Sequence, residues 1–273
     1  MLKRLIFAVL VPLLCVVGAI YCIFQMEPQV KAVKSASIPT IFIHGYRGTD
    51  RSLHGMIRRF DQKYNWGTDT LKVSVSPTGE ISTTGNYSKN AKNPFINIVF
   101  EDNRATITQQ SMWTKKVMQY LQDHYAIHQF NAVGHSMGGG AWVAYLASYE
   151  KNPDYPQVNK IVFLAVPFYP EEYVNGDEEV DIKNANEVHA KFATQMSKNL
   201  PENVKILIIG GNLDDGSDSD GEVKIDSVLY GKKLFTNQDV ETHVIHGPEA
   251  THSNMHELSV VDQYVGPFLF GHK

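Results

Sequence analysis

Residues 132–139, AVGHSMGG, constrain the fold of this chain more than any other segment. They set Ser136 inside G-x-S-x-G, as Gly134, His135, Ser136, Met137 and Gly138. A strand-like run, 130–133, precedes them, and an alanine-rich stretch that reads as helix, 141–149, follows. A serine on a sharp strand-to-helix turn is the arrangement of a nucleophile elbow. Such a turn strains the serine backbone, so small residues must flank it, and it lifts the hydroxyl above the end of a sheet. G-x-S-x-G alone also occurs in inert glycine-rich turns. The strand before it and the helix after it argue against an inert turn here.

The rest of the chain supplies a sheet for that turn. Residues 38–43, 71–75, 95–100, 160–165, 204–209 and 240–245 all read as strands. Leu53, Met56, Ile57 and Phe60 repeat at i, i+3, i+4 and i+7, one face of a helix. Trp113, Val117, Tyr120, Leu121 and His124 mark a second helix, with Ser111 as its start, and 254–264 predict a closing helix. Residues 76–93, rich in Ser, Thr, Gly and Asn, predict a loop or hairpin. Strands alternating with helices predict an α/β fold with a mostly parallel central sheet covered on both faces. Residues 169–203 lack strong strand signals and are long for a plain connection. They predict either a cap over the site or a solvated acidic excursion.

Composition matters mainly at the N-terminus. Residues 5–24 form a run of 20 uncharged, mostly apolar positions behind Lys3 and Arg4. About 20 helical residues span a hydrocarbon core. The leading positive charges predict a cytoplasmic N-terminus and an exported C-terminal domain. The run exceeds an ordinary signal-peptide core, and Tyr21, Cys22, Ile23 and Phe24 make a poor cleavage context. The expectation is a membrane anchor or signal segment over 1–24, a linker over 25–37 and the globular domain over 38–273. Without Lys3 and Arg4, 23 basic residues face 29 acidic ones, a net charge of −6, so no nucleic-acid surface is expected. Both cysteines, Cys15 and Cys22, lie in the apolar run, so the exported part has no disulfide or cysteine nucleophile.

A serine hydroxyl needs a base and a group that orients the base. In open α/β sheets such groups gather at the carboxyl ends of the strands. The turn after 204–209 holds Asp214, Asp215, Asp218 and Asp220. Asp220, in Ser-Asp-Gly-Glu-Val, is the selected acid, because an Asp-Gly turn holds a carboxylate while Val223 anchors the segment after the turn. The polar tract keeps the other three open as alternatives. After 240–245 come His246, His252 and His256, with His243 inside the strand. His252 stands in the loop before the last helix, where it can lean over the sheet edge, and is the selected base. The order Ser136, Asp220, His252 is that of α/β-hydrolases. For the oxyanion, the backbone N–H of Met137 and that of Tyr46, in the His44-Gly45-Tyr46 exit from the first strand, are the expected donors. His252 and His256 lack the intervening Glu of H-E-x-x-H, and the acidic loop fails the EF-hand pattern at Gly216, so no metal is expected.

IFIHGYRGT, NPFINIVFEDN, NAVGHSMGGG, SDGEV and THSNMHEL together resemble the DUF915 group of α/β-hydrolases, exported or cell-surface hydrolases of Gram-positive bacteria. The resemblance runs from about Ile38 to the C-terminus. It implies an α/β-hydrolase fold with nucleophile Ser136, acid Asp220 and base His252, and it implies no cofactor and no particular substrate. The expectation is an extracytoplasmic serine hydrolase, carboxylesterase- or lipase-like, acting through an acyl-enzyme on a small-molecule ester or lipid-like substrate. It would be anchored by one N-terminal span, or secreted if that span is cleaved. An acyltransferase or amidase on the same triad and an inert surface binding module are the alternatives.

Overall fold

Period-two alternation along the strands divides the core into two layers. The computed structural model describes residues 37–168 and 182–271, with side chains outside 182–190. The eight strands are β1 (Thr40–Ile43), β2 (Thr68–Val75), β3 (Ile81–Gly85), β4 (Pro94–Phe100), β5 (Gln129–His135), β6 (Gln157–Leu164), β7 (Lys205–Asn212) and β8 (Asp239–His246). They form one sheet in the order β3-β2-β4-β1-β5-β6-β7-β8. β3 runs antiparallel to β2, and all other neighbours are parallel. This is the α/β-hydrolase fold expected from the sequence.

Ile41, Ile43, Ala132, Phe163 and Ile208 point into one layer, and Phe42, Val133, Leu164 and Ile209 into the other. α2 (Ile107–Tyr125), α3 (Met137–Tyr149) and α4 (Ile182–Asn199) cover the first face. The second is covered by α1 (His54–Arg58), the π turn Arg59–Lys63 and α7 (Ser259–Phe270). Between β7 and β8 stand two short helices, α5 (Ile225–Leu229) and α6 (Gly231–Leu234). Burying each large apolar side chain contributes about 1.5–3 kcal/mol, so the two layers hold the sheet and fix the loops at its carboxyl edge.

Several boundaries differ from the sequence reading. α2 starts at Ile107, not Ser111: Thr106 caps it, its hydroxyl accepting the Gln109 N–H at 3.2 Å. α3 starts at Met137, so the glycines after Ser136 lie inside the helix. Residues 76–93, expected as a loop or hairpin, do contain a hairpin strand, β3. The closing helix is split: a 3₁₀ turn, Ser253–His256, is separated from α7 because Leu258 takes an extended backbone (ψ 126°) and packs against the second layer.

The stretch that suggests a cap, 169–203, contains α4, whose Ala193 and Met196 are buried in the first layer; residues 169–181 lie outside the described residues. The anchor over 1–24 and nearly all of the linker, 25–36, also lie outside them. Among the described residues no helix is long and apolar enough to cross a membrane.

Candidate active site

Ser136 joins β5 to α3 with φ 51° and ψ −126°, a conformation that side chains rarely adopt. The turn is fixed from several sides. The Ser136 N–H donates to Leu164 O on β6 at 2.9 Å, and Ser136 O accepts the Gly139 N–H at 2.9 Å. Two glycines are required by close approach. A Cβ on Gly134 would lie 2.5 Å from Gly139 Cα, and one on Gly138 would lie 2.4 Å from the carbonyl oxygens of Ile43 and His44. The small residues of the motif therefore let α3 descend onto β5 and let the β1 exit press against the elbow. Ser136 itself is half-buried.

The β1 exit is held by a histidine rather than aimed by one. His44 is fully buried; its Nε2 accepts the Phe100 N–H at 3.1 Å, so Nδ1 carries the proton and donates to Gly45 O at 2.9 Å. Burial pushes its pKa down, against the opposing Gly45 hydrogen bond. The Arg47 N–H donates to Asn103 O at 2.9 Å, and Asn103 Nδ2 donates to Gly48 O at 2.9 Å. Among the described residues, the backbone N–H groups of Tyr46 and Met137 have no partner. A Cβ on Gly45 would touch Ser136 Cβ at 3.0 Å, so Tyr46 directly follows a residue in contact with the elbow.

The acid and base selected from the sequence meet. His252 Nδ1 donates to Asp220 Oδ2 at 2.8 Å, and the His252 N–H donates to Asp220 O at 2.9 Å. The other carboxylate oxygen, Asp220 Oδ1, accepts the N–H groups of Glu222 at 3.0 Å and Val223 at 2.7 Å. The Asp220 side chain is wholly buried and that of His252 nearly so. Burial works against charging His252, but the hydrogen bond and charge of Asp220, with the charge of Glu222 added, outweigh it and hold its pKa above the ordinary value. Among the described residues the Ser136 hydroxyl has no hydrogen-bond partner, so the contact between it and His252 is not made in this state. Such bonds often tighten only when substrate binds.

The alternative residues are engaged elsewhere. His246 Nδ1 pairs with Asp214 at 2.8 Å, His243 Nε2 with Glu241 at 2.5 Å, and Asp215 Oδ1 accepts the Ser217 N–H at 2.9 Å. Asp218 accepts from Asn212 at 3.5 Å, and His256 pairs with Glu257 at 3.0 Å.

An alpha/beta hydrolase family of unknown function, DUF915, matches residues 27–272. The chain belongs to the DUF915 family. This DUF915 protein is similar to the lin2722 product of Listeria innocua, with 27% identity and a TM-score of 0.76 over 87% of this chain and 95% of that one. A proposed cell surface hydrolase from Lactobacillus plantarum is 25% identical, with a TM-score of 0.65 over 85% and 92%. The lipase BlEst2 of Bacillus licheniformis shares the fold, at 12% identity and a TM-score of 0.55 over 86% and 93%. No curated protein matches the sequence.

The sequence reading missed the support behind the DUF915 site. His135, the variable residue before the serine, donates from Nε2 to His252 O at 2.9 Å. Its ring centroid lies 4.8 Å from that of His252 and 4.7 Å from that of His256. Burial, then the two neighbouring imidazoles, push its pKa far down, so it stays neutral and keeps this hydrogen bond. Behind it, Arg59 donates to Asp262 at 2.5 and 2.9 Å and to His256 O at 3.0 Å, tying the π turn to the loop that carries His252. In the sequence, His135 stood out only as the variable residue of G-x-S-x-G. Among the described residues no cluster of His, Cys, Asp and Glu could hold a metal ion.

Proposed function

We propose that this protein is a serine hydrolase that cleaves carboxylic esters by way of an acyl-enzyme. The observation that carries the reading is the buried Asp220–His252 pair, 2.8 Å apart, on loops at the same sheet edge as the strained Ser136 turn. Because Nδ1 is committed to Asp220, Nε2 is the nitrogen left to accept the Ser136 proton. Ser136 Oγ attacks the carbonyl carbon, and the N–H groups of Tyr46 and Met137 receive the oxyanion. The tetrahedral species collapses, Nε2 returns its proton to the departing alcohol, and water activated at the same nitrogen releases the acid. Asp220 keeps the imidazole in the productive tautomer throughout.

Esters are preferred to amides because BlEst2, which shares the fold, is described as a lipase. The reading puts the domain outside the cytoplasm, held by residues 1–24 or released from them. It rests on Lys3 and Arg4 ahead of the apolar run and on the Lactobacillus plantarum neighbour described as a proposed cell surface hydrolase. Hydrolysis of p-nitrophenyl esters of graded chain length, with and without alcohol acceptors and beside matched anilides, tests it. Ester cleavage with free acid as the main product is expected, lost in Ser136→Ala. Dominant acyl transfer or amide cleavage would replace the esterase reading with one of its relatives.

A further inference from the structure

The loop that carries Asp220 carries a second carboxylate. Glu222 Oε2 lies 3.8 Å from His252 Nε2, the ring nitrogen that Asp220 does not hold. Its backbone is fixed, since its N–H donates to Asp220 Oδ1 at 3.0 Å and Gly221 before it turns the chain at φ 94°. Its side chain is 57% exposed, against 7% for His252, so the carboxylate faces solvent at the outer edge of the ring. The charged or titratable groups facing His252 are Asp220 and Glu222 on this loop, His135 on β5 and His256 on the 3₁₀ turn. Burial keeps both of these histidines below the ordinary imidazole range. Among the described residues Glu222 is the solvent-facing carboxylate within 4.0 Å of Nε2.

Nε2 is the atom that gives a proton to the departing oxygen. That oxygen must come within about 3 Å of Nε2, so it stands within about 7 Å of the Glu222 carboxylate. We infer that Glu222 is a specificity-determining residue that favours esters with a cationic leaving alcohol and disfavours those with an anionic one. The inference rests on the Ser136–His252–Asp220 reading. Glu222 exchanges no proton: the Ser136 proton still passes to Nε2 and from there to the leaving oxygen as the carbonyl–oxygen bond breaks. Its effect is Coulombic: where the leaving alcohol, a few bonds beyond that oxygen, places its unit charge about 7 Å from the carboxylate, a water-like dielectric changes the rate about threefold. With a Debye length of about 8 Å at physiological ionic strength, salt should erode the preference.

The test is kcat/KM of the full-length protein for three acetate esters of similar size, with choline, 3,3-dimethylbutanol and 2-hydroxyethanesulfonate as leaving alcohols. At low salt the wild type should rank choline above the neutral ester and the neutral above the sulfonate, by about threefold per step. Glu222→Gln should compress the ranking, Glu222→Lys should invert it, and 1 M salt should flatten it in the wild type. The acid limb for the neutral ester should move down in Glu222→Gln, because losing the carboxylate weakens the imidazolium. An identical ranking in all three proteins, with the neutral ester still turned over through Ser136, overturns the role of Glu222 alone. Absence of Ser136-dependent turnover of the neutral ester overturns both this inference and the serine-esterase reading.

Discussion

Replacing Asp220 separates what the carboxylate does for the fold from what it does for the reaction. Its two oxygens satisfy three donors: the N–H groups of Glu222 and Val223 on one, and His252 Nδ1 on the other. Asp220→Ala strands all three in a largely buried place. An unsatisfied buried donor costs about 1–3 kcal/mol, and water reaching the Glu222 end lowers the total, leaving roughly 3–6 kcal/mol. For a domain of this size about 1 kcal/mol moves Tm by 2–4 °C, so Tm should fall on the order of 10 °C or more. Asp220→Asn behaves differently. Its oxygen still accepts both backbone N–H groups, but its NH2 faces Nδ1, which must then accept. The proton moves to Nε2, and the base is lost. The stability cost is one charge-assisted hydrogen bond, about 1.5–3 kcal/mol, whereas the same change in the serine-protease triad lowers kcat about 10⁴-fold. Circular-dichroism melts and ester kinetics on both variants check this. An Asn variant within tenfold of wild-type activity, or an Ala variant with unchanged Tm, would refute the reasoning. The raised His252 pKa also adds stability below about pH 6.5 that fades as pH rises through the folded value, and Asp220→Ala should lose it.

Three further outcomes are expected from the same contacts. Gly138→Ala places a methyl 2.4 Å from two carbonyl oxygens; overpacking of this kind costs about 1–3 kcal/mol, and activity should fall more than stability because the Tyr46 loop is displaced, as kinetics beside melts would register. Arg59→Ala takes the guanidinium from the buried Asp262 carboxylate, which keeps its hydrogen bond with Tyr64, a loss at the low end of about 3–5 kcal/mol that urea titration measures. Glu150 is buried and burial raises its pKa to about 8, against the Val158 N–H; its contribution is present below its unfolded pKa and lost as pH rises through about 8. Glu150→Gln should therefore flatten the fall in Tm between about pH 4.5 and about 8.

Local signals and distant ones differed in how far the sequence revealed them. The elbow was legible because its demands are local: a strand, two close-approach glycines around the serine and a helix succeed one another in the chain. Asp220 and His252 were selectable because a parallel sheet sends the ends of β7 and β8 to the same edge. The Arg59–Asp262 pair was not, since its partners are 203 residues apart and neither carries a motif. His135 read only as the variable position of G-x-S-x-G, and its bond to His252 O depends on a loop 117 residues later. The break at Leu258 was hidden because a single extended residue between two helical runs leaves the apolar spacing nearly intact.

The most direct measurement is the site of reaction with a fluorophosphonate, mapped by mass spectrometry on the full-length protein beside Ser136→Ala and His252→Ala. One adduct is expected, on Ser136, absent in the first variant and formed far more slowly in the second. An adduct on another residue, or labelling of Ser136 that is indifferent to His252, would contradict the triad.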